Sequence, residues 1–67
     1  MCLSTVYKDI RGQVSKIMQD VSHMEARDDG VLLTGMFGEE LFVKGRFKSM
    51  DFLDGTSILV ETVETDA

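Results

Sequence analysis

Leu41-Phe42-Val43-Lys44-Gly45-Arg46-Phe47-Lys48 is the stretch whose reading decides the fold. Leu41, Val43, Gly45 and Phe47 fall on one side of a period of two, and Phe42, Lys44, Arg46 and Lys48 on the other. That is the pattern of an extended strand. Gly45 inside the run predicts a bulge or bend, as a small barrel needs at a corner. Ser49–Leu53 continues extended, and turn chemistry brackets the whole segment, with Phe37-Gly38-Glu39-Glu40 before it and Asp54-Gly55-Thr56 after it.

Working outward, Val31–Met36 reads as a strand with a near-continuous apolar run, which predicts burial on both faces, against the core and against a further surface such as a partner subunit. Asp28-Asp29-Gly30 ahead of it is a hairpin turn, because aspartate and glycine tolerate the positive φ of tight loops. Asp20–Arg27 is expected as a strand whose faces are not cleanly sorted. Val14, Ile17 and Met18 have a spacing that fits one helical turn as well as a kinked strand, and a strand is expected. Arg11-Gly12-Gln13 is a turn, and the β-branched and aromatic content of Leu3–Lys8 gives a first strand ending near Asp9. Ser57–Val63 is the last strand, with residues 64–67 a fraying tail. Without proline, repeat or linker, residues 1–63 form one domain. Short strands with turn signals every ~8–12 residues predict an all-β antiparallel meander closing into a small barrel.

A chain of 67 residues buries only ~60% of its unfolded surface, so self-association would help it. One cysteine allows no intrachain disulfide, no apolar run approaches the ~20 residues of a spanning helix, and the first residues lack a leader layout. A cytoplasmic location without membrane contact is the expectation. The net charge of −5 disfavours nucleic acid. Three of the seven basic residues, Lys44, Arg46 and Lys48, share a face of the extended strand; an RNA-binding barrel would use them, and the plainer reading is a solvated face. Phe37, Phe42, Phe47 and Phe52 recur at an odd spacing that sends them to alternate faces, which argues against a base-stacking platform.

The only cysteine is Cys2. With Met1 removed, its amine and thiolate close a five-membered chelate ring; with Met1 retained, the α-amine, the Cys2 amide nitrogen and the thiolate form a contiguous N,N,S set. An amine near pKa ~8 and a thiol near ~8.5 compete only modestly with a metal at neutral pH. Such a set suits Ni(II) or Cu(II) in a square plane, Zn(II) less specifically, and calcium or magnesium poorly. The plainer alternative is a small residue opening a strand. His23, the only histidine, is more often a surface residue than a ligand when it stands alone. Paired-cysteine zinc spacing and a glycine-rich phosphate loop are both missing. Asp28-Asp29 and Glu39-Glu40 are adjacent carboxylates that point apart, and Met18, Met24, Met36 and Met50 are ordinary core filling. A nucleophilic Cys2 would need His23 as its base, and nothing in the sequence positions it, so a non-enzyme is expected.

Met1-Cys2, Val6-Tyr7, Ile17-Met18-Gln19-Asp20-Val21, Asp29-Gly30-Val31-Leu32-Leu33, Phe37-Gly38-Glu39 and Val43-Lys44-Gly45-Arg46-Phe47-Lys48, in that order, resemble the CooT family of small nickel-binding proteins. The resemblance runs from Met1 to about Glu61. It implies a homodimer of small SH3-like β-barrels that binds Ni(II) through the amino-terminal region for maturation of carbon monoxide dehydrogenase. Carried onto this chain, it makes Cys2 the key ligand, with the Met1 amine and local amide nitrogens as co-ligands and two Cys2 residues able to meet across a dimer axis; beside these, Leu3 and His23 are accessory candidates. Leu3 stands where the family often has an acid, His23-Met24-Glu25-Ala26 replaces an acidic, proline-containing segment, and Leu41 replaces a more polar residue.

Overall fold

The computed structural model describes residues 3–62. They form six strands and no helix: β1 (Ser4–Ile10), β2 (Gln13–Ala26), β3 (Gly30–Gly35), β4 (Glu40–Lys44), β5 (Arg46–Asp51) and β6 (Thr56–Glu61). The all-β reading therefore stands. Arg11 and Gly12 both adopt positive φ, 55° and 84°, which is the mirror-image turn whose twist matches its flanking strands. Leu53 N–H donates to Asp51 Oδ1 at 2.9 Å, so aspartate starts the β5–β6 turn by bonding its own backbone two residues on.

One sheet holds all six strands in the order β4-β3-β2-β1-β6-β5. The expected meander is wrong at one join, because β1 and β6 pair in parallel from Ser4↔Thr56 to Asp9↔Glu61. The kinked strand and the poorly sorted strand of the sequence reading are one element, β2. Its first part pairs with β1 and its second with β3, and Asp20 at φ 58° marks the change.

The barrel expectation also needs correction. Among the described residues β4 and β5 stand at opposite ends of the strand order with no ladder between them, so the sheet is curled but open. The run read as one strand breaks at Gly45, which has φ 155°. Lys44 leaves one end of the strand order and Arg46 enters the other.

The core is small: Val6, Val21, Val31, Leu33, Ile58 and Val60 are buried, all from β1, β2, β3 and β6, with Ile17, Met18, Met24 and Val43 packed against them. β3 is buried or half-buried along its whole length, as its apolar run predicts. β5 is exposed throughout. All four phenylalanines lie outside the core, Phe37 and Phe52 in turns, Phe42 on β4 and Phe47 on β5.

Candidate metal site at the amino-terminal rim

Leu3 is the first described residue and is half-buried where the chain enters β1. Ser4 sits between Val21 of β2 and Thr56 of β6. The rim around this entry is therefore made of the middle of β2 and the β5–β6 turn. The β3–β4 turn joins it on the far side of β2, because Met36 N–H donates to the Asp20 carbonyl at 3.0 Å. Cys2 and Met1, the principal ligands expected from sequence, lie outside the described residues, as does the tail expected to fray.

His23 is exposed on β2 opposite Thr34, two residues past the Val21 that flanks Ser4. Ser22, the extra residue in that bulge, donates its hydroxyl toward the carbonyls of Thr34 and Gly35, 3.2 Å from each. The imidazole of His23 is open to solvent. Of the carboxylates, Glu39 accepts from Phe37 N–H at 3.1 Å in the β3–β4 turn, beside the rim. Asp28 and Asp29 instead line an open cleft of about 740 Å³ at the Gly45 corner, together with Met24, Lys44, Arg46 and Glu61. Among the described residues no three of histidine, cysteine, aspartate and glutamate gather as a metal site.

Of the three basic residues of the RNA reading, Lys44 and Arg46 line the corner cleft and Lys48 is committed to Asp9. Gly45 puts Lys44 on β4 and the other two residues on β5, at opposite ends of the strand order. Lys48 is the extra residue of a bulge between Phe47↔Val60 and Ser49↔Leu59, and its Nζ lies 2.8 Å from Asp9 Oδ2. Arg46 pairs across the ladder with Glu61. A surface meant for phosphates would not commit its lysine to an acid of the same chain.

The Asp9–Lys48 pair went unread in the sequence, where Asp9 appeared only as a strand end. It ties β1 to β5 across β6. Asp9 is buried at 7% exposure, and its other oxygen accepts from Gly12 N–H at 2.8 Å, closing the first hairpin. The Lys48 hydrogen bond holds the Asp9 carboxyl below its usual range, against desolvation, with help from Gly12 N–H. The same bond raises Lys48 above the usual lysine value. Stability from Asp9 is therefore present above the ordinary carboxylate pKa and lost as pH falls through its lowered value. Stability from Lys48 is present below the ordinary lysine pKa and lost as pH rises through its raised value. Thermal melts between pH ~2 and ~7 should show the native chain losing stability more steeply than Asp9→Asn below pH ~4; parallel curves would mean the pair contributes nothing.

Residues 1–61 match the model of the family described as CO dehydrogenase accessory protein CooT. No curated protein matches. A crystal structure of a protein assigned as CooT from Carboxydothermus hydrogenoformans superposes with TM-score 0.79 at 21% identity, covering 94% of this chain and 100% of that one. At that identity the superposition speaks to the fold. The family match covers the expected ligand positions Met1 and Cys2 as well as the strands.

Proposed function

The chain belongs to the CooT family of CO dehydrogenase accessory proteins, and from that premise we propose that it carries Ni(II) as cargo for a nickel enzyme under assembly, holding the ion through Cys2. The observation that carries this reading is the family match from residue 1 to residue 61, which includes the chain's one thiol. Peptide geometry supports the placement, since consecutive Cα atoms are ~3.8 Å apart and Cys2 adjoins Leu3 at the rim. The thiolate supplies the soft donor, and nitrogen donors from Met1, the Leu3 amide or His23 complete a set that favours nickel over calcium or magnesium. The protein acts as a cytoplasmic homodimer that catalyses no reaction of its own; carbon monoxide dehydrogenase is the client the family points to.

Nickel titration under anaerobic conditions, followed by thiolate-to-metal charge-transfer absorption, tests the reading. The native protein should develop the band, and Cys2→Ala should lack it and lose high-affinity binding. Equal binding by the two would remove Cys2 from the site. Metal per chain, measured alongside solution mass, reports whether two Cys2 residues share an ion: one nickel per two chains means that they do.

A further inference from the structure

Among the described residues the three most exposed large apolar side chains are Leu53, Phe37 and Phe52, at 93%, 85% and 70%. All stand in turns, Phe37 between β3 and β4 and the other two between β5 and β6. Neither turn needs them there. Gly38 at φ 88° and Gly55 at φ 78° supply the left-handed backbone, and turn positions ordinarily go to small polar residues. Carboxylates hold the tips: Glu39 accepts from Phe37 N–H and Asp51 accepts from Leu53 N–H. Each turn thus carries a large apolar side chain on a backbone fixed by an acid two residues away, so less order remains to be imposed when a partner arrives.

The two turns lie at the ends of one cross-strand row. Gly35, which opens the β3–β4 turn, pairs with Val21; Val21 pairs with Ser4, and Ser4 with Thr56, which closes the β5–β6 turn. Three strand spacings of ~4.8 Å make the row about 14 Å long. That is well inside the roughly 30 Å width of a protein–protein contact of about 800 Å² per partner. Charge along the row has one sign. Asp20, Glu39, Glu40, Asp51 and Asp54 lie in or beside the two turns, and residues 36–40 and 51–55 contain no lysine or arginine. Leu3, the residue after Cys2, leads into Ser4 within the row.

We propose that these turn tips are the surface by which the chain docks on the enzyme that receives its nickel, and that the enzyme meets them with an apolar hollow bordered by lysine and arginine. Exposed apolar side chains rimmed by polar groups mark a contact site, and the acids select what covers this one. Nucleic acid or an anionic lipid surface would be repelled. A second copy of this chain would set the same carboxylates against their equals, whereas a basic protein surface is their complement. The inference rests on the proposed function for the identity of the partner. It does not require nickel to be bound, since none of the residues that make the surface is a proposed ligand.

The test titrates metal-free chain into purified nickel-free carbon monoxide dehydrogenase of the same organism and reads the dissociation constant by calorimetry. Leu53→Ala and Phe37→Ala should each weaken binding about tenfold or more, as truncation of a buried anchor does. Asp54→Lys should also weaken it, and should flatten a salt dependence that is marked for the native chain between ~50 and ~500 mM. Val14→Ala is the control. Val14 is exposed too, at 55%, but it pairs with Asp9 at the other end of β1, and its variant should bind as the native chain does. Circular dichroism confirms that each variant, altered only at an exposed position, keeps its strands. A native chain that does not bind the enzyme, or Leu53→Ala and Phe37→Ala variants that bind as tightly as Val14→Ala, would overturn the proposal. A solution mass that falls in those two variants would overturn it as well, by giving the tips to a contact between copies. Docking is read without metal and nickel uptake without enzyme, so either can fail alone. Docking that survives in Cys2→Ala and nickel uptake that survives in Leu53→Ala are the expected results; loss of nickel uptake in Leu53→Ala would make the tip part of the metal site and overturn the proposal.

Discussion

Leu33→Ala should leave little of the chain folded at room temperature. Leu33 is completely buried at the centre of β3, in a core of six buried apolar residues, and its neighbours come from strands that hold the whole sheet together. Truncating a buried leucine costs about 2–5 kcal/mol. A domain of ~60 residues at ~0.05–0.15 kcal/mol per residue has only about 3–9 kcal/mol to lose. The cost is therefore a large part of the total, and a core this small has few other residues able to move into the space. Leu33→Met conserves volume and should cost less than about 1.5 kcal/mol. Phe37→Ala is the contrast, since Phe37 is larger than Leu33 but 85% exposed, and its melting point should stay close to the native value. Urea unfolding followed by circular dichroism compares the three. A Leu33→Ala midpoint within experimental scatter of the native one would mean that the core is not where the buried residues place it.

What the residues disclosed and what they hid divide along local and non-local lines. The hairpins at Arg11-Gly12 and Asp54-Gly55 were legible, and so was the buried character of Val31–Met36 except at its last residue, Met36, which is 48% exposed, because turn chemistry and apolar runs are properties of neighbouring residues. The parallel pairing of β1 with β6 was not. It joins the two ends of the chain, and nothing in Ser4–Ile10 or Thr56–Glu61 read alone distinguishes a parallel from an antiparallel partner. The split of Lys44 from Arg46 and Lys48 was half legible. Gly45 signalled a bend, but alternation on both sides of it kept the period of two and made two strands look like one. Asp9 and Lys48, far apart in sequence, form an ion pair only because β6 brings β1 and β5 into register, so no spacing rule could find it. For the candidate site, Cys2 was singled out by its chemistry and by resemblance. The rim of Asp20, Ser22, His23 and Glu39 around the chain entry needed the fold, since those residues come from β2 and the β3–β4 turn.

Gly45→Ala should be the second most damaging single change, and it acts on backbone. The residue adopts φ 155°, in the half of conformational space that side chains avoid. A Cβ there would run into the Glu61 carbonyl oxygen and crowd the Cα of Thr62. Neither obstacle is the free end of a side chain, so neither can swing aside. Gly45 N–H also donates to the Asp29 carbonyl at 3.2 Å, and moving the residue to relieve the clash stretches that bond. Backbone strain of about 1–3 kcal/mol and overpacking of about 1–3 kcal/mol act together, for a loss on the order of 2–6 kcal/mol. Gly12→Ala separates the two causes. Gly12 has φ 84° but open space where a Cβ would go, so it should carry the strain alone and lose about half as much. Equal losses at the two positions would show that the Gly45 corner is not closed against β6. The two ends of the molecule should also behave independently. The corner lies by the Asp29 turn and Glu61, while the amino terminus enters beside Val21 and Thr56. At temperatures where Gly45→Ala is still folded, its nickel titration should therefore match the native one. A variant that is folded but no longer binds nickel would place the ion at the corner cleft, on Asp28, Asp29 and Glu61, and away from Cys2.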